Sequence, residues 1–441
     1  MSTNLLILGA GADRTSGIDF PMANTLLPEV AQYIAGNGKG VDEALRKALP
    51  GIRFTFSRLI NSAIDSLTTR EIPELRTVIE RVQHAANGIE DENDIVKKQG
   101  LLIVRLFNKL VSIASENHLD DETCKLIEEV FGKDVDGLID NDSIVDLHKT
   151  SLSETFKSIL KRTLQQSLTT KSNAVAEALG MDMLNIEQLL IEKFLGFYNN
   201  KSSEIKNYIY ISWCLWAFLV DRQKQVLSDY SASGIPFYKG IPSGTRAITL
   251  NYTSFLESQL GKTHVVHFHG GLAEYVRMDT RDLVPIDNLL KCDPQQFIET
   301  EIAPNIDVAD DDAENQRHVI PSLVPPLRLK PILSHKYIEL WHQASEWVGK
   351  ASKIVVVGYS FNNADEHFND IIRVNKDKPI DIVGPGVHDP YFISRIEKVL
   401  GVPAKNFLST HVQNKPAKKA GNVRLIKAMA DEVNLEELFA S

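Results

Sequence analysis

Proline placement constrains the fold of this chain more than any other feature of its sequence. Residues 74–235 contain none of the 18 prolines, whereas both flanking parts contain several. Because proline is incompatible with a helix interior, a long proline-free stretch is typical of helical structure. Apolar residues within it recur at helical spacing, as in Ile159, Leu160 and Leu164. The pattern predicts a mostly helical region over residues 38–235.

The parts on either side of this region contain short, continuous apolar runs, each followed by glycine or small polar residues. Such runs, rich in β-branched residues, are typical of buried parallel strands. They predict strands at Leu5–Leu8, Ala247–Leu250, His264–Phe268, Ile354–Val357 and Ile380–Val383. A helical pattern precedes the fourth run, and alternating strands and helices predict an α/β fold with a doubly wound parallel sheet.

The first predicted strand and the other four lie on opposite sides of the helical region. The simplest organisation is one discontinuous α/β domain, residues 1–37 and 236–405, with a large, mostly helical insertion at residues 38–235. Residues 406–441 form a C-terminal extension in this scheme. No internal repeat divides the chain further.

Composition argues against several classes of function. With 48 basic and 58 acidic residues the formal net charge is −10, which is unlike a general binder of nucleic acid or of anionic membranes. The most apolar stretch, Tyr208–Val220, is shorter than the roughly 20 residues of a membrane span, so we expect a buried helix there. The N-terminus lacks the basic segment and the long apolar run of a signal peptide. We expect a cytoplasmic protein.

The three cysteines, Cys124, Cys214 and Cys292, are far apart and form no C-x-x-C pair. They indicate neither a zinc ribbon nor a disulfide framework, as is usual in the reducing cytosol. His267 and His269 form an H-x-H pair, but no cysteine or carboxylate nearby in the sequence completes a ligand set. We therefore expect no metal.

Polar and small residues follow the predicted strands, at the edge where parallel sheets bind ligands. The Gly-Ala-Gly sequence at 9–11 follows the first strand and suits either a phosphate-binding loop or a plain tight turn. Asn251, His269 and Ser360 follow the next three strands. Asn251 also suits a turn or helix cap, His269 also suits a core position, and residues 365–367 (Asp-Glu-His) are interpreted as a helix start. Convergence of three polar residues at one edge predicts a binding site.

Four short motifs, in this order, resemble the NAD-binding fold of the Sir2 (sirtuin) family, and more specifically the bacterial SIR2-like proteins of anti-phage defence. They are GAGADRTSGIDF, TLNYTS, HFHGG and GYSF, within residues 1–36 and 240–400. The resemblance implies a Rossmann-like, sirtuin-type sheet with NAD⁺ as the substrate. It implies catalytic roles for Asn251 and His269, and Asp19 is assigned to stabilise positive charge on the ribose. The implied NAD⁺ contacts are Gly9, Ala10, Gly11, Ala12, Asp13, Gly17, Phe20, Gly358, Ser360 and Gly384.

Two departures from the sirtuin pattern bear on the expected activity. Residues 17–21 (Gly-Ile-Asp-Phe-Pro) are one residue short of the family's Gly-Ile-Pro-Asp-Phe-Arg and have proline in place of arginine. Protein-deacylating sirtuins carry a four-cysteine zinc module, which three scattered cysteines cannot build. The chain is therefore similar to SIR2-like effectors that hydrolyse NAD⁺ to nicotinamide and ADP-ribose. The alternatives are a protein deacylase or ADP-ribosyltransferase, and a non-catalytic sensor of NAD⁺ or ADP-ribose.

In the mechanism expected from this resemblance, Gly9 and Gly11 place the pyrophosphate of NAD⁺ at a helix N-terminus. Asn251 orients the attacking water or the ribose hydroxyls, and His269 acts as general base near neutral pH. Unrestrained NAD⁺ hydrolysis would kill the host, so we expect the insertion to gate the site, to mediate homo-oligomerisation, or both. The resemblance implies activation by a nucleotide or by a separately encoded partner, such as a HerA-type ATPase, a short argonaute or a nucleotide-sensing subunit.

Overall fold

The computed structural model describes most of the chain in two compact units. The described residues are 4–21, 23–68, 72–111, 120–131, 145–146, 151–152, 154–169, 174–183, 189–190, 192–193, 202–231, 233–308, 316–324 and 332–441. Unit 1 comprises Met1–Met22, Asn37–Ile52 and Leu190–Ser441, and unit 2 comprises Ala23–Gly36 and Arg53–Leu189.

The strands and helices are numbered in chain order. The strands are β1 (Asn4–Leu8), β2 (Val145–Asp146), β3 (Ser151–Leu152), β4 (Arg246–Thr249), β5 (Val265–His267), β6 (Gly270–Arg277), β7 (Leu283–Pro285), β8 (Val319–Leu323), β9 (Lys353–Val357), β10 (Ile380–Val383), β11 (Leu408–Val412), β12 (Lys415–Ala420) and β13 (Val423–Ile426). The helices are α1 (Ala23–Ala35), α2 (Lys39–Ala48), α3 (Phe56–Thr68), α4 (Ile72–Asn87), α5 (Ile95–Val111), α6 (Asp121–Phe131), α7 (Glu154–Thr169), α8 (Ala174–Met183), α9 (Ser202–Asp229), α10 (Pro236–Lys239), α11 (Phe255–Leu260), α12 (Pro294–Phe297), α13 (His335–Lys350), α14 (Glu366–Val374), α15 (Pro390–Leu400) and α16 (Leu435–Ala440).

Unit 1 is an α/β structure around an eight-stranded, mostly parallel sheet. Six strands run parallel in the order β13-β10-β9-β1-β4-β5, and the antiparallel strands β12 and β11 extend the sheet beyond β13. All five predicted strands are present. The third is shorter than predicted, because Lys262–His264 forms a 3₁₀ turn before β5.

The central strands are continuous apolar runs because both of their faces are covered. Every residue of β9 is buried, and so are four of the five residues of β1. Leu5, Ile7, Ile354 and Val356 belong to one apolar cluster, which also contains residues of α13, α14 and α15. A strand with one exposed face alternates between apolar and polar residues, whereas these strands are buried on both faces and are apolar throughout.

Residues 406–441 were predicted to form a C-terminal extension, but in the structure they contribute three strands to the sheet. β11, β12 and β13 all lie within it, and β13 pairs with β10 in parallel. The outermost strand, β11, is largely exposed and polar. Short polar strands are typical of sheet edges, where they prevent unwanted pairing.

A second, antiparallel sheet of order β7-β6-β8 lies against α9 in unit 1. The indole Nε1 of Trp213 donates to the Val319 carbonyl at 3.0 Å, and that of Trp216 donates to the Leu272 carbonyl at 2.9 Å. All of residues 208–220 are buried, so the most apolar stretch is a buried helix, as predicted. None of the helices in the described ranges is long and apolar enough to cross a membrane.

The two units divide the chain at different places from the sequence-based boundaries. Residues 38–52 and 190–235, placed in the insertion by sequence, belong to unit 1. One reason is a partly buried network between α2 and α9, in which the Tyr210 hydroxyl donates to Asp42 and accepts from Arg46 at 3.1 Å. α1 belongs to unit 2 instead.

Unit 2 is mostly helical, as the proline-free stretch indicates. It contains α1, α3–α8 and a short antiparallel β2–β3 ladder. α4 packs against α5 and α8, and Gly100 allows this close approach. A Cβ at Gly100 would lie 2.8 Å from both Ala86 Cβ and Val175 Cγ2.

Candidate functional site

The order of the strands changes direction next to β1. From β1 the chain proceeds to β4 and β5 on one side, and it then returns to β9 and β10 on the other. Ligands of open α/β sheets bind at the carboxyl ends of the strands around such a point. Leu8 pairs with Thr249 and with Val357, and Thr249 pairs with His267, so these strand ends are level. The residues that follow β9, β1, β4 and β5 are called the carboxyl edge below.

The loops after β1 and β9 pack directly on each other at the carboxyl edge. Gly9 N–H donates to the Val357 carbonyl at 3.0 Å, and Gly11 N–H donates to the Gly358 carbonyl at 2.9 Å. A Cβ at Gly9 would lie 2.7 Å from the Gly358 oxygen. Gly358 has a φ of +67°, and its Cβ would lie 2.2 Å from the nitrogen of Ala12. Loop packing therefore requires these glycines, whatever the ligand.

The helix N-terminus expected to hold the pyrophosphate is not present after Gly11. Ala10–Arg14 is a 3₁₀ turn, and at five residues it has little dipole to offer an anion. The N–H groups of Gly9 and Gly11 donate to the β9 end, and that of Ala12 donates to the Gly9 carbonyl at 2.9 Å. These three donors are used within the protein, so the predicted phosphate contacts have a different geometry from the expected one.

Asp13 is the buried centre of the carboxyl edge. Its carboxylate accepts hydrogen bonds from Thr253 Oγ1 at 2.9 Å, from Asn251 Nδ2 at 3.1 Å and from the Tyr238 hydroxyl. Burial raises the pKa of Asp13 to about 6, and the three donors partly oppose that rise. Asp13, predicted to contact NAD⁺, therefore anchors the other side chains of the edge in this structure.

The side-chain amide of Asn251 is held in one orientation. Its Nδ2 donates to Asp13 Oδ2 and to the Gly9 carbonyl, both at 3.1 Å. Only the nitrogen of a side-chain amide can donate a hydrogen bond, and both neighbours on this side are acceptors. They therefore fix Nδ2 toward Asp13 and Gly9, and Oδ1 is the atom on the other side of the amide. A water or a ligand hydroxyl is therefore recognised by Asn251 through Oδ1.

His269 is buried at the adjacent strand end and pairs with a carboxylate. Its Nε2 lies 3.0 Å from Asp365 Oδ1, and both side chains are less than a tenth exposed. Asp365 lies in the 3₁₀ turn Asn363–Asp365 that precedes α14. Residues 365–367 do begin a helix, as predicted, but that interpretation missed the contact of Asp365 with His269.

The second histidine of the H-x-H pair has different partners. His267 Nδ1 lies 3.3 Å from the Asn251 carbonyl, and His267 Nε2 lies 3.5 Å from Glu257 Oε1. The two histidines thus face separate carboxylates. Within the part of the chain that the structure describes, no three His, Cys, Asp or Glu side chains are grouped to hold a metal ion.

The segment around Asp19 lies outside the Asp13 cluster. The Asp19 side chain is exposed and pairs with Arg14 at 3.4 Å. Gly17 has a φ of +87°, and a Cβ there would lie 1.6 Å from the Tyr230 hydroxyl oxygen. Phe20 is buried in the core. The acidic side chain joined to Asn251 is therefore Asp13, and the structure places the predicted charge-stabilising Asp19 toward solvent.

Of the two remaining predicted contacts, Ser360 follows β9 at the carboxyl edge and Gly384 follows β10, beyond it. Ser360 is exposed, and its carbonyl accepts a hydrogen bond from Arg395 Nη1 at 3.0 Å. Gly384 follows β10, and its N–H donates to the Ile426 carbonyl at 3.1 Å. Ser360 therefore has an exposed side chain, whereas Gly384 has only backbone atoms.

Sequence reasoning missed three side chains at this edge: Tyr238, Thr253 and Asp365. Thr253 lies inside the TLNYTS motif, two residues after Asn251, and that position was a usable signal. Tyr238 and Asp365 reach the site from α10 and from the start of α14, and neither carries a local pattern that marks it.

The raised pKa of Asp13 predicts a pH dependence of stability. Between the ordinary value of 3.8 and the folded value of about 6, the folded state holds the proton and the unfolded state loses it. The contribution of the Asp13 carboxyl to the free energy of unfolding is therefore fully present below pH 3.8 and is lost as pH rises through 6. Relative to Asp13→Asn, the unfolding free energy of the wild type should fall by about 2 kcal/mol between roughly pH 4.5 and 7. Urea titrations of both proteins measure this difference, and a pH-independent difference would contradict the assignment.

No protein-family model matches the sequence, and a search of curated proteins finds no similar sequence. The resemblance to the sirtuin fold rests on the four short motifs.

Proposed function

We propose that this chain is an NAD⁺ glycohydrolase with a sirtuin-type site, which cleaves NAD⁺ to nicotinamide and ADP-ribose. One observation carries the proposal. Asn251 and His269 lie buried at the ends of the adjacent parallel strands β4 and β5, next to β1, where the order of the strands changes direction. These are the two positions that match the sirtuin asparagine and histidine. Two polar side chains of the required types at the ligand-binding edge of such a sheet suit a reaction at a ribose.

The reaction replaces the bond from ribose C1′ to the nicotinamide nitrogen with a bond to water. The bonding electron pair leaves with nicotinamide, which thereby becomes neutral, and C1′ passes through an oxocarbenium-like state. Water supplies the new C1′–O bond, and His269 takes the proton that water loses. Asn251 Oδ1 accepts a hydrogen bond from the water or from a ribose hydroxyl, which orients the reacting groups. The products are nicotinamide, ADP-ribose and one proton.

The proposed site differs from the expected one in two residues. Asp19 is left out, because its side chain is exposed and paired with Arg14. Asp13 enters as the acceptor that holds the Asn251 amide. The glycine loop does not support the proposal in this structure, since the N–H groups of Gly9 and Gly11 already donate within the protein.

Cysteine content favours hydrolysis over protein deacylation. A sirtuin deacylase binds acyl-lysine beside a four-cysteine zinc module, and this chain has three cysteines. Cys214 is fully buried in α9, so it is not available as a ligand at a surface groove.

Depletion of NAD⁺ in anti-phage defence is the proposed setting for this activity. An NAD⁺ hydrolase that is always active would harm its own cell, so control by a nucleotide, by homo-oligomerisation or by a separately encoded partner is part of the proposal. NAD⁺ hydrolysis at full rate by the isolated chain, in the absence of any trigger, would count against this control.

The experiment is a product analysis after incubation of the protein with NAD⁺. We expect nicotinamide and free ADP-ribose in equal amounts by HPLC. Nicotinamide without free ADP-ribose, together with ADP-ribosyl groups on protein, would identify a transferase instead. NAD⁺ binding without nicotinamide release under activating conditions would identify a sensor.

A further inference from the structure

We propose that Arg395 binds the 2′-phosphate of NADP⁺, so that the site accepts NADP⁺ as a substrate beside NAD⁺. This inference rests on the proposed function and adds a second substrate to the same site. The bond that breaks is again the one between ribose C1′ and the nicotinamide nitrogen, and water converts NADP⁺ to nicotinamide, 2′-phospho-ADP-ribose and one proton. In doubly wound sheets an acidic residue near the adenosine ribose binds its 2′-hydroxyl, whereas an arginine there accommodates a 2′-phosphate.

The guanidinium of Arg395 is held beside the end of β9. Arg395 lies on α15, and its Nη1 donates to the Ser360 carbonyl at 3.0 Å. Val383 at the end of β10 pairs with Val357 at the end of β9, so the two strand ends are level, and α15 is the helix that follows β10. A cation therefore lies where two parallel strands end, which is where ligands of such sheets bind.

The Arg395 guanidinium has no anionic partner of its own. Its contacts in the described part of the chain are the Ser360 carbonyl and the side chain of Tyr391, whose ring centroid lies 4.6 Å from Cζ, and no carboxylate there pairs with it. Its Nε is buried and has no hydrogen-bond partner among the described residues. Because a planar guanidinium carries five N–H donors, it can bind a phosphate and keep its bond to Ser360.

The surroundings of Arg395 are positively charged and exposed. Tyr391, Arg395 and Lys398 recur at helical spacing, so they share one face of α15. The hydrogen bond and the charge of Arg395 lower the pKa of the Tyr391 hydroxyl, and the charge of Lys398 also lowers it. Tyr391 is 68% exposed, and Ser360 is exposed as well. A dianionic phosphate therefore meets a positive potential on an open surface.

The carboxylates near this place have other partners. The segment after β10, residues 384–395, contains one acidic residue, Asp389. Asp389 is the N-cap of α15, and its carboxylate accepts from the Tyr391 N–H at 2.7 Å. Asp365 and Glu366, which follow β9, each lie within ion-pair distance of a basic side chain. The group offered to the adenosine ribose is therefore the arginine and not a carboxylate.

The position of Arg395 suits the 2′-phosphate better than the pyrophosphate. In doubly wound sheets the pyrophosphate lies over the loop after the first strand, here β1, whereas Ser360 follows β9 on one side of it. Neighbouring strands are roughly 4.8 Å apart, so the ends of β4 and β9 are about 10 Å apart across β1. The two riboses of a dinucleotide are joined through the pyrophosphate. A nicotinamide ribose at Asn251 therefore places the adenosine ribose on the β9 side of β1.

Initial rates of nicotinamide release from NADP⁺ and from NAD⁺ by the full chain separate the two phosphates. Arg395→Gln should lower the ratio of kcat/KM for NADP⁺ to kcat/KM for NAD⁺ about 10–100-fold, because it removes a charge-assisted contact that only NADP⁺ makes. A general effect on folding changes both values and leaves their ratio unchanged. Arg395→Lys keeps the charge without the planar fork and should give an intermediate ratio. Lys405→Gln removes an exposed cation from the turn after α15 and should keep the wild-type ratio.

Calorimetric titration with adenosine 2′,5′-bisphosphate and with adenosine 5′-monophosphate tests the same contact without turnover, since the two probes differ only in the 2′-phosphate. The wild type should bind the bisphosphate about 10–100-fold more tightly, and Arg395→Gln should bind both alike. Equal affinities in the wild type, or an unchanged ratio of kcat/KM in Arg395→Gln, would overturn the inference. If the wild type releases nicotinamide from neither dinucleotide, the proposed function fails, while the titration still decides the role of Arg395.

Discussion

Replacement of His269 by alanine is expected to lower the kcat for nicotinamide release from NAD⁺ by about 10²–10⁴-fold. General-base catalysis by a positioned side chain contributes rate factors of this size. KM should change much less, because the imidazole acts on the attacking water and not on the parts of NAD⁺ that supply most of the binding energy. The measurement is the initial rate of nicotinamide formation over a range of NAD⁺ concentrations.

His342→Ala is the matched control for this experiment. His342 lies on α13, and its exposed side chain takes part in none of the hydrogen bonds or ion pairs given for the carboxyl edge. Its replacement should leave kcat within about twofold of the wild type, as expected of an exposed surface position. Equal rates for His269→Ala and the wild type would remove His269 from the mechanism. Equal losses in both variants would indicate a general effect on folding.

The second large effect concerns stability at the opposite end of the sheet. Asp381→Ala is expected to lower the free energy of unfolding by about 3 kcal/mol, because it leaves the buried ammonium of Lys353 and the partly buried guanidinium of Arg424 without their anion. Asp381 on β10 is 2% exposed. It lies 3.0 Å from Lys353 Nζ on β9, and both its oxygens accept from Arg424 on β13 at 2.6 Å.

This cluster also ties the C-terminus to the sheet. Arg424 Nη2 donates to Ser441 Oγ at 2.7 Å, and Lys353 Nζ donates to the same oxygen at 3.2 Å. Asp381 raises the pKa of Arg424 through their hydrogen bonds, so the guanidinium stays charged. Loss of Asp381 should therefore also loosen α16, seen as faster amide hydrogen exchange at residues 435–440.

An exposed carboxylate provides the control for Asp381. Asp370 pairs with Arg373, but its side chain is 55% exposed, so Asp370→Ala should cost about 1 kcal/mol or less. Urea unfolding of the two variants beside the wild type measures both quantities. A loss below about 1 kcal/mol for Asp381→Ala would show that the cluster does not stabilise the sheet as its burial indicates.

The parallel strands were predictable from sequence because burial on both faces leaves no alternation. Leu5–Leu8, Ile354–Val357 and Ile380–Val383 are continuous apolar runs, and each forms a strand of the sheet. β11 and β12 were not predictable in this way. β11 is the edge strand and is mostly polar, and β12 beside it contains three lysines and Pro416, so both resemble loops in sequence.

The candidate site was predictable only where chemistry follows a strand directly. Asn251 and His269 come directly after strand runs, and the structure buries both at adjacent strand ends. Tyr238 and Asp365 come from other elements, and their contacts exist only in the folded chain. Asp13 and Asp19 lie in one motif, and only the turn between them decides which carboxylate faces inward.

The glycine positions show why a motif alone underdetermines a ligand site. A phosphate-binding loop and a loop that packs on its neighbour both need glycine. Here the contact of Gly9 with Gly358 is enough to require it. Four motifs in order resemble one family, but the N–H groups of Gly9 and Gly11 donate within the protein in this structure.

The most direct measurement of the central claim is the NAD⁺ pool of cells that produce this chain together with its neighbouring genes, before and after phage challenge. We expect NAD⁺ to fall after challenge while nicotinamide and ADP-ribose rise by equal amounts. Cells with His342→Ala should behave in the same way, and cells with His269→Ala should keep their NAD⁺. A constant NAD⁺ pool with the wild-type chain, or the same fall with His269→Ala, would contradict NAD⁺ hydrolysis at this site.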